Sequence, residues 1–234
     1  MKIIQISDSH ISVDHPERTL DLETCVKSIN DLANPSDIIF HTGDISHNGL
    51  PEEYRIAKDC LNKLKAPYHV LTGNRDKRPA LIQAFADGSS IRESDQFVQY
   101  SIESYATRLV VVDTLCEHSN KGQICEERFN HLEKMLAADI TRPALMFLHH
   151  SPFEVPPIPD PFQFENWADV EKLHELLSAY PSVVGLYCGH IHRNVDGTIA
   201  NRPVRAITCM ARDLRKGTLT EDERNRPACR EITA

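Results

Sequence analysis

The sequence predicts a layered α/β fold whose sheets contain both parallel and antiparallel strands. Short apolar runs alternate with longer segments in which apolar residues recur at helical spacing, a pattern typical of α/β domains. Two apolar runs, 97–104 and 107–114, follow each other directly and indicate a pair of strands in a mixed sheet. The chain of 234 residues is long enough for one large domain with a sizeable core.

The predicted strands are the short apolar runs. In chain order they cover 2–7, 37–43, 67–73, 97–104, 107–114, 144–150 and 182–190, and 198–208 is predicted to form a hairpin. The runs at 144–150 and 182–190 are almost continuously apolar, which favours strands that are buried on both faces.

The predicted helices are the longer segments 18–33, 51–64, 126–139 and 168–179. In the first of them, Leu20, Val26, Ile29 and Leu32 stand near helical spacing. The second opens with Pro-Glu-Glu. This is a favourable first turn, because proline suits the first helical position and carboxylates interact well with the positive end of the helix dipole.

Two segments carry no regular pattern. Residues 151–167 are rich in proline and aromatic residues, so they are predicted to form a long loop that makes one wall of a cleft; a moving lid is the less favoured alternative. Residues 211–234 are polar and weakly patterned. We therefore assign 1–210 to the domain and 211–234 to a polar C-terminal tail that frays.

Composition and charge argue against several classes of function and location. The net charge of -8 does not favour nucleic acid as a partner, although a local basic patch is compatible with it. No segment approaches the roughly 20 apolar residues of a membrane span. The N-terminal MKIIQISDSH turns polar too early for a signal peptide, so a cytoplasmic location is expected.

The seven cysteines are scattered, odd in number and without a CxxC pair. This pattern disfavours a disulfide framework and a zinc site built from thiolates. Reduced, mostly buried thiols are the expected state.

Potential metal ligands follow five of the predicted strands. In chain order they are Asp8 and His10, Asp44, Asn74, His149 or His150, and His190 with His192. In an open α/β sheet the carboxyl ends of the strands meet at one edge, so these side chains are expected to converge. Imidazole, carboxylate and amide ligands without thiolate suit Mn, Fe, Zn, Co or Ni better than Ca or Mg alone.

Seven ligands are too many for one ion and fit two ions that share a bridging carboxylate. Two cations about 4 Å apart can hold a hydroxide between them and clamp phosphoryl oxygens during in-line attack. Taken singly, each residue has a structural interpretation: Asp8 or Asp44 as a helix cap or turn residue, Asn74 as a left-handed turn residue, His149 as a buried histidine. The joint pattern favours the metal site. The other histidines are unassigned, with His41 and His69 predicted to be structural.

The ordered set Asp8-x-His10, Gly43-Asp44, Gly73-Asn74-x-Asp76, His149-His150 and Gly189-His190-x-His192 resembles the calcineurin-like metallophosphoesterase superfamily. The stretches GDISHNGLPEEY, LHHSPF and GHIHRNVDGTIANRPV are similar to its bacterial cyclic-nucleotide and glycerophosphodiester phosphodiesterase branch, the class III phosphodiesterases. The resemblance covers about residues 1–208, and five motifs in the family's order make it specific.

The resemblance implies a four-layer α/β/β/α sandwich with two mixed sheets. It implies that one metal is held by Asp8, His10 and His192, the other by Asn74, His149 and His190, and that Asp44 bridges them. His149 is preferred to His150 as the ligand, because adjacent residues at a strand end point to opposite sides. His150 is then expected either to support the site or to face the substrate.

Arg75 departs from the family, in which a histidine that contacts the phosphate is common at this position. An arginine cannot act as an acid, because its pKa lies above about 12. It can still bind phosphate oxygens in a fork and stabilise developing charge, held by an ion pair with Asp76. The alternative is that Arg75 only pairs with Asp76 or a surface carboxylate.

The predicted function is hydrolysis of a small phosphodiester, such as 3′,5′-cyclic AMP or a glycerophosphodiester, by hydroxide held between two metals (Mn, Fe, Zn or Co). Asp44, Asn74, Arg75 and His150 are the catalytic candidates. A phosphomonoesterase or 2′,3′-cyclic phosphodiesterase with the same metals is the alternative. A scaffold without activity is disfavoured, because every ligand is present. Relatives often dimerise through C-terminal strands, so the resemblance is compatible with a homo-oligomer, although this sequence is short after GHIHRNVDG.

Overall fold

Two mixed β-sheets packed face to face form the centre of the molecule. The computed structural model describes residues 1–88, 90–155 and 163–234. Within them the strands are β1 (Lys2–Ile6), β2 (Ile38–His41), β3 (Tyr68–Val70), β4 (Tyr100–Ile102), β5 (Arg108–Val111), β6 (Ala144–Phe147), β7 (Val183–Cys188), β8 (Val195–Ile199), β9 (Arg202–Ala206) and β10 (Arg230–Thr233). The α-helices are α1 (Pro16–Asn30), α2 (Pro51–Leu61), α3 (Arg78–Phe85), α4 (Glu126–Ala137), α5 (Trp167–Ala179) and α6 (Glu221–Asn225).

Both sheets are mixed, as the sequence predicts. The first has the order β10-β1-β2-β3, in which β1, β2 and β3 are parallel and β10 is antiparallel to β1. The second has the order β4-β5-β6-β7-β9-β8, with four parallel strands between two antiparallel edge strands. Helical crossovers join β1 to β2, β2 to β3, β5 to β6 and β6 to β7, which accounts for the alternation in the sequence.

Strand β5 shows how the layers are built. Its residues alternate between faces: Leu109 and Val111 pack into the core between the sheets, whereas Val110 packs beneath α4 and α5. Across the sheet interface the rings of Phe40 and Phe147 stack with centroids 4.0 Å apart. Helices α1, α2 and α3 cover the first sheet. The order of layers is therefore α/β/β/α, as predicted.

Several element boundaries differ from the prediction. Helix α1 begins at Pro16, two residues before the predicted start, because proline occupies the first helical position. Helix α3 was not predicted, and it too opens with a proline in its first turn. The hairpin begins at Val195, earlier than predicted, and turns through Ala200 and Asn201, both of which have positive φ.

The expectation of a frayed C-terminal end is wrong for β10. This strand pairs with β1 in the register Ile3↔Ile232, and Met1 and Ala234 exchange two backbone hydrogen bonds. The Arg215 guanidinium fastens the preceding segment, because it donates to the carbonyl oxygens of Cys209, Glu223, Arg224 and Arg226. Main-chain bonds and one buried side chain hold β10, so its polar sequence carries little signal. The division at residue 210 stays a prediction.

No helix in the described part of the chain is long and apolar enough to cross a membrane. All seven cysteines are free thiols, and Cys25, Cys60, Cys116, Cys188 and Cys209 are buried.

Candidate metal centre

The loops after β1 and β2 bring the first ligands together. The Asp8 N–H donates to the Gly43 carbonyl (3.0 Å), and the His10 N–H donates to the Asp44 carbonyl (2.9 Å). Asp8, His10 and Asp44 all have left-handed backbones, with φ of 55°, 45° and 52°. Such conformations cost about 1 kcal/mol or more each outside glycine, and they persist where the surroundings enforce them, often at functional sites.

The loops after β6 and β7 complete the site. His149 follows β6, and its carbonyl accepts the Gly189 N–H (3.1 Å), which joins the two loops. His190 and His192 follow β7, and they too are left-handed, with φ of 72° and 55°. Beneath the site, the Gln5 side chain donates to the Cys188 carbonyl (3.0 Å) and ties the first sheet to the second.

One group of side chains matches the predicted first metal position. A ligand atom of each of Asp8, His10, Asp44 and His192 lies within 4.8 Å of those of the others. The Nε2 atoms of His10 and His192 are 3.1 Å apart, and His192 Nε2 lies 3.4 Å from Asp8 Oδ1. His10 Nε2 lies 3.5 Å from Asp44 Oδ2.

A second group lies beside the first. Asn74 Oδ1 lies 3.1 Å from His149 Nε2 and 2.9 Å from His190 Nδ1. His149 Nε2 is also 3.6 Å from Asp44 Oδ2. Asp44 Oδ2 therefore faces both groups, 3.5 Å from His10 on one side and 3.6 Å from His149 on the other. This is the arrangement that a bridging carboxylate requires.

Hydrogen bonds fix the tautomers of two histidines. His149 Nδ1 lies 2.8 Å from the Thr42 carbonyl, and His192 Nδ1 lies 3.0 Å from the Leu214 carbonyl. Because a carbonyl oxygen only accepts, each Nδ1 carries a hydrogen, and Nε2 is the ring nitrogen that faces the carboxylates. This outer support is typical of metal-binding histidines.

The two buried carboxylates of the site, Asp8 and Asp44, favour the binding of cations. Burial alone would raise the pKa of Asp8, but the hydrogen bond from His192 and the neighbouring imidazoles lower it far below its usual value. Asp44 is also buried, yet His149 and His10 lower its pKa to about 2. In the described part of the chain, histidines alone form the side-chain ion pairs of both carboxylates. Two buried carboxylates with imidazoles and an amide oxygen fit two borderline transition-metal ions.

His150 lies beside this centre, and both of its ring nitrogens face other protein groups. It is fully buried, with Nδ1 2.8 Å from Thr114 Oγ1 and Nε2 3.3 Å from the Asn120 carbonyl. A ring nitrogen of His150 nevertheless lies within 4.8 Å of those of His149 and His190. Distance alone therefore does not separate a ligand from a supporting residue here.

The expected ion pair between Arg75 and Asp76 is absent from the described structure. Asp76 is buried and accepts from the N–H groups of Gly73 (2.8 Å), Ser46 (3.1 Å) and Ile45 (3.3 Å), and from the Tyr54 hydroxyl (3.1 Å). These bonds join the turns after β2 and β3. Asp76 therefore serves the scaffold, because its oxygens are committed to backbone amides and leave no room for a guanidinium.

Sequence reasoning left His47 unassigned, and the structure places it at the site. His47 Nε2 lies 3.3 Å from Arg75 Nη2, and His47 Nδ1 lies 3.5 Å from His10 Nδ1. Its position in the turn directly after Asp44 is the sequence feature that could have indicated this placement. Asn120 was also missed: its Oδ1 lies 3.5 Å from Asn74 Nδ2, and nothing in the pattern around it indicates this. The predicted wall at 151–167 lies partly outside the described residues, since 156–162 are not described.

The sequence matches the model of the family described as calcineurin-like phosphoesterase over residues 1–194. A relative from Arcobacter nitrofigilis, named "Probable glycerophosphodiester phosphodiesterase GpdQ", is 30% identical over 233 residues, covering 94% of this chain and 84% of the relative. The Escherichia coli 3',5'-cyclic adenosine monophosphate phosphodiesterase CpdA is 25% identical over 202 residues, covering 84% of this chain and 71% of the relative.

A solved structure extends the comparison to the whole fold. The crystal structure of a dimetal phosphatase from Danio rerio superposes with a TM-score of 0.74 and 16% identity, covering 99% of this chain and 91% of that chain. At that identity the likeness shows the fold alone.

Proposed function

The chain belongs to the calcineurin-like phosphoesterase family, a family of hydrolases, and from this premise we propose that it hydrolyses a small phosphodiester with two bound metal ions. The observation that carries the proposal is the placement of Asp44. One of its oxygens faces His10 in one ligand group and His149 in the other. A carboxylate shared in this way suits two adjacent cations.

Each residue has a role in this proposal. Three side chains would hold each cation, with Asp44 between them: Asp8, His10 and His192 for one, and Asn74, His149 and His190 for the other. When bound, two cations supply Lewis acidity towards the phosphoryl group and lower the pKa of water. The chain itself orients Asp44 through the Arg75 N–H, and fixes the His149 and His192 tautomers through backbone carbonyls.

The Arg75 guanidinium is the phosphate-binding group in this proposal. It is half-buried at the edge of the site beside His47 and has no acidic partner in the described residues. Because it carries a permanent charge and donates in a fork, it suits phosphoryl oxygens. Asp44, Asn74 and Arg75 are accordingly the residues we assign to the reaction.

The names of two relatives support a diester as the substrate. The Arcobacter relative is named for glycerophosphodiesters and the Escherichia coli relative for cyclic AMP. A phosphomonoester is the second candidate, and Arg75 favours it. A permanent positive charge beside the metals suits the extra negative charge of a monoester.

The test compares rates on Mn-loaded protein with a bis(nitrophenyl) diester and with the matching nitrophenyl monoester. Asp44→Asn is the control, and we expect it to lose activity on the order of 10²–10³-fold. Faster diester cleavage that the variant lacks supports the proposal. Faster monoester cleavage makes the protein a phosphatase. Hydrolysis of neither ester, with two metals bound, contradicts both. The metal identity, the cytoplasmic location and a homo-oligomeric state stay predictions.

A further inference from the structure

His150 forms a consistent set of hydrogen bonds that assigns its protons. Thr114 Oγ1 accepts the His150 backbone N–H (3.4 Å), so its own hydrogen is available for His150 Nδ1, 2.8 Å away. His150 Nε2 then carries the ring hydrogen and donates it to the Asn120 carbonyl at 3.3 Å. Both ring nitrogens are thereby committed to protein groups. No lone pair is left for a metal, and no proton faces a substrate.

The segment that receives this bond is Leu115–Gly122, which we call the 115–122 loop. Its ends are joined by a bridge between Leu115 and Gly122, and the Gln123 N–H donates to the Thr114 carbonyl (3.0 Å). At Gly122 the loop packs against His150 so closely that an added Cβ would lie 2.8 Å from the ring carbon Cγ. The loop is fixed at its base and at His150, whereas its tip is exposed.

The tip of the loop reaches the metal centre. The exposed Asn120 side chain lies 3.5 Å from the Asn74 amide, whose Oδ1 faces His149 and His190. A substrate with its phosphoryl group at the metals can extend one ester group past this amide. Asn120 can both donate and accept hydrogen bonds, so it suits a polar ester group.

We propose that the 115–122 loop is the substrate-selecting wall of the site, that Asn120 is its specificity-determining residue, and that His150 is the positioning residue that holds it. This rests on the proposed function. His149 and His150 are adjacent in the chain but have different roles. His149 turns to the metals, and His150 turns to the loop that contacts the substrate.

The experiment compares four variants. His150→Phe keeps a ring but removes both hydrogen bonds, whereas His150→Gln retains an N–H that can reach the Asn120 carbonyl. Asn120→Ala removes the side chain alone. Gly122→Ala keeps the His150 side chain but pushes against it, because the added Cβ would lie 2.8 Å from the ring carbon Cγ. Asn120→Ala, at an exposed position, covers the case that the buried substitutions fail to fold. The readouts are Mn content per chain, KM and kcat for a small and a bulky nitrophenyl diester, and hydrogen exchange of the 115–122 loop in metal-free protein.

We expect His150→Phe, Asn120→Ala and Gly122→Ala to change the ratio of KM values between the two diesters by about fivefold to tenfold, the effect of one hydrogen bond. Mn content and kcat should stay within about twofold of wild type. His150→Phe and Gly122→Ala should speed hydrogen exchange in the loop. In His150→Gln both the ratio of KM values and the exchange rate should lie close to wild type. A loss of Mn in His150→Phe would overturn the proposal in favour of a ligand. A loss of kcat at constant KM would overturn it in favour of a catalytic group.

Failure of the proposed function is separately visible. If Mn-loaded wild type cleaves neither diester, binding of inorganic phosphate and of a non-hydrolysed phosphonate diester is measured by calorimetry. A changed ratio of their affinities in Asn120→Ala supports the loop's role without catalysis. An unchanged ratio together with unchanged loop exchange in His150→Phe would refute it.

Discussion

The backbone N–H of Arg75 donates to Asp44 Oδ1 at 2.7 Å, and this bond leaves Oδ2 to face His10 and His149. The main chain of residue 75 therefore orients the bridging carboxylate, while its side chain faces His47. Because any residue except proline supplies that N–H, the side chain at position 75 can vary without disturbing Asp44. Arginine in place of histidine is compatible with an intact metal centre for this reason.

Replacing Arg75 by alanine should weaken phosphate binding but not metal binding. Loss of a charge-assisted hydrogen bond is worth about 1.5–3 kcal/mol, so the inhibition constant of inorganic phosphate should rise about 10- to 100-fold. Arg75→Lys keeps the charge but lacks the forked pair of donors. Its inhibition constant should therefore lie between those of wild type and Arg75→Ala. Mn content stays at the wild-type value, because the backbone N–H to Asp44 remains. Equal inhibition of all three proteins would show that Arg75 does not contact phosphate.

Metal should stabilise the protein, because it would pair two buried carboxylates whose side-chain ion-pair partners in the described residues are imidazoles. At Mn 100-fold above its dissociation constant, the free energy of unfolding should rise by about 2.7 kcal/mol. For a domain of this size that raises Tm by about 5–10 °C relative to protein in EDTA. In Asp44→Asn the rise should shrink. The metal-free variant should also be less stable than metal-free wild type at neutral pH, because the lowered pKa of Asp44 shows that the fold favours its charged form. An undiminished rise would argue against Asp44 as a ligand.

Gly73→Ala should destroy the site through contact with Asp44. An added Cβ would lie 2.2 Å from Asp44 Oδ1 and 2.3 Å from its backbone nitrogen, so the carboxylate must move. The matched control is Gly185→Ala, whose Cβ would meet Leu145 Cδ2 at an ordinary 3.5 Å. We expect the first variant to lose Mn and activity. The second should keep both, with stability within about 1 kcal/mol of wild type. Mn content after gel filtration distinguishes them, and a fully loaded Gly73→Ala would contradict the geometry.

Ile232→Ala should destabilise the fold without affecting the metals. Ile232 is the buried side chain of β10, and its truncation should cost about 2–4 kcal/mol. Thr233→Ala, an exposed neighbour on the same strand, should stay within about 0.5 kcal/mol. Urea unfolding of the metal-free proteins measures both. If Ile232→Ala left the midpoint unchanged, β10 would not belong to the cooperative unit.

The sequence predicts the layers and the convergence of ligands because both follow from local patterns. Val110 and Val111 alternate between faces, and the ligands stand directly after the apolar runs. It does not predict β10, whose one buried side chain gives no periodic signal. It also misses His47 and Asn120, because they reach the site only through turns whose path depends on tertiary contacts.

The hydrogen bonds of Asp76 show a second feature that the sequence does not predict. The residue pattern made Asp76 a plausible partner of Arg75, two charges one residue apart. Three backbone N–H groups and the Tyr54 hydroxyl surround Asp76 instead. Which of several donors a carboxylate receives is decided by the packing of neighbouring turns, and spacing along the chain does not encode that choice.

During synthesis β1 emerges before its partner β10, and every other described strand lies between them along the chain. Strands β1, β2 and β3 can pair while synthesis proceeds, but the outer edge of β1 stays open until residues 230–233 leave the exit tunnel. An open edge invites pairing with other chains. A nascent chain stalled before residue 230 can therefore already contain every metal ligand and still expose an aggregation-prone strand edge, so translation must run to β10 before the first sheet is sealed.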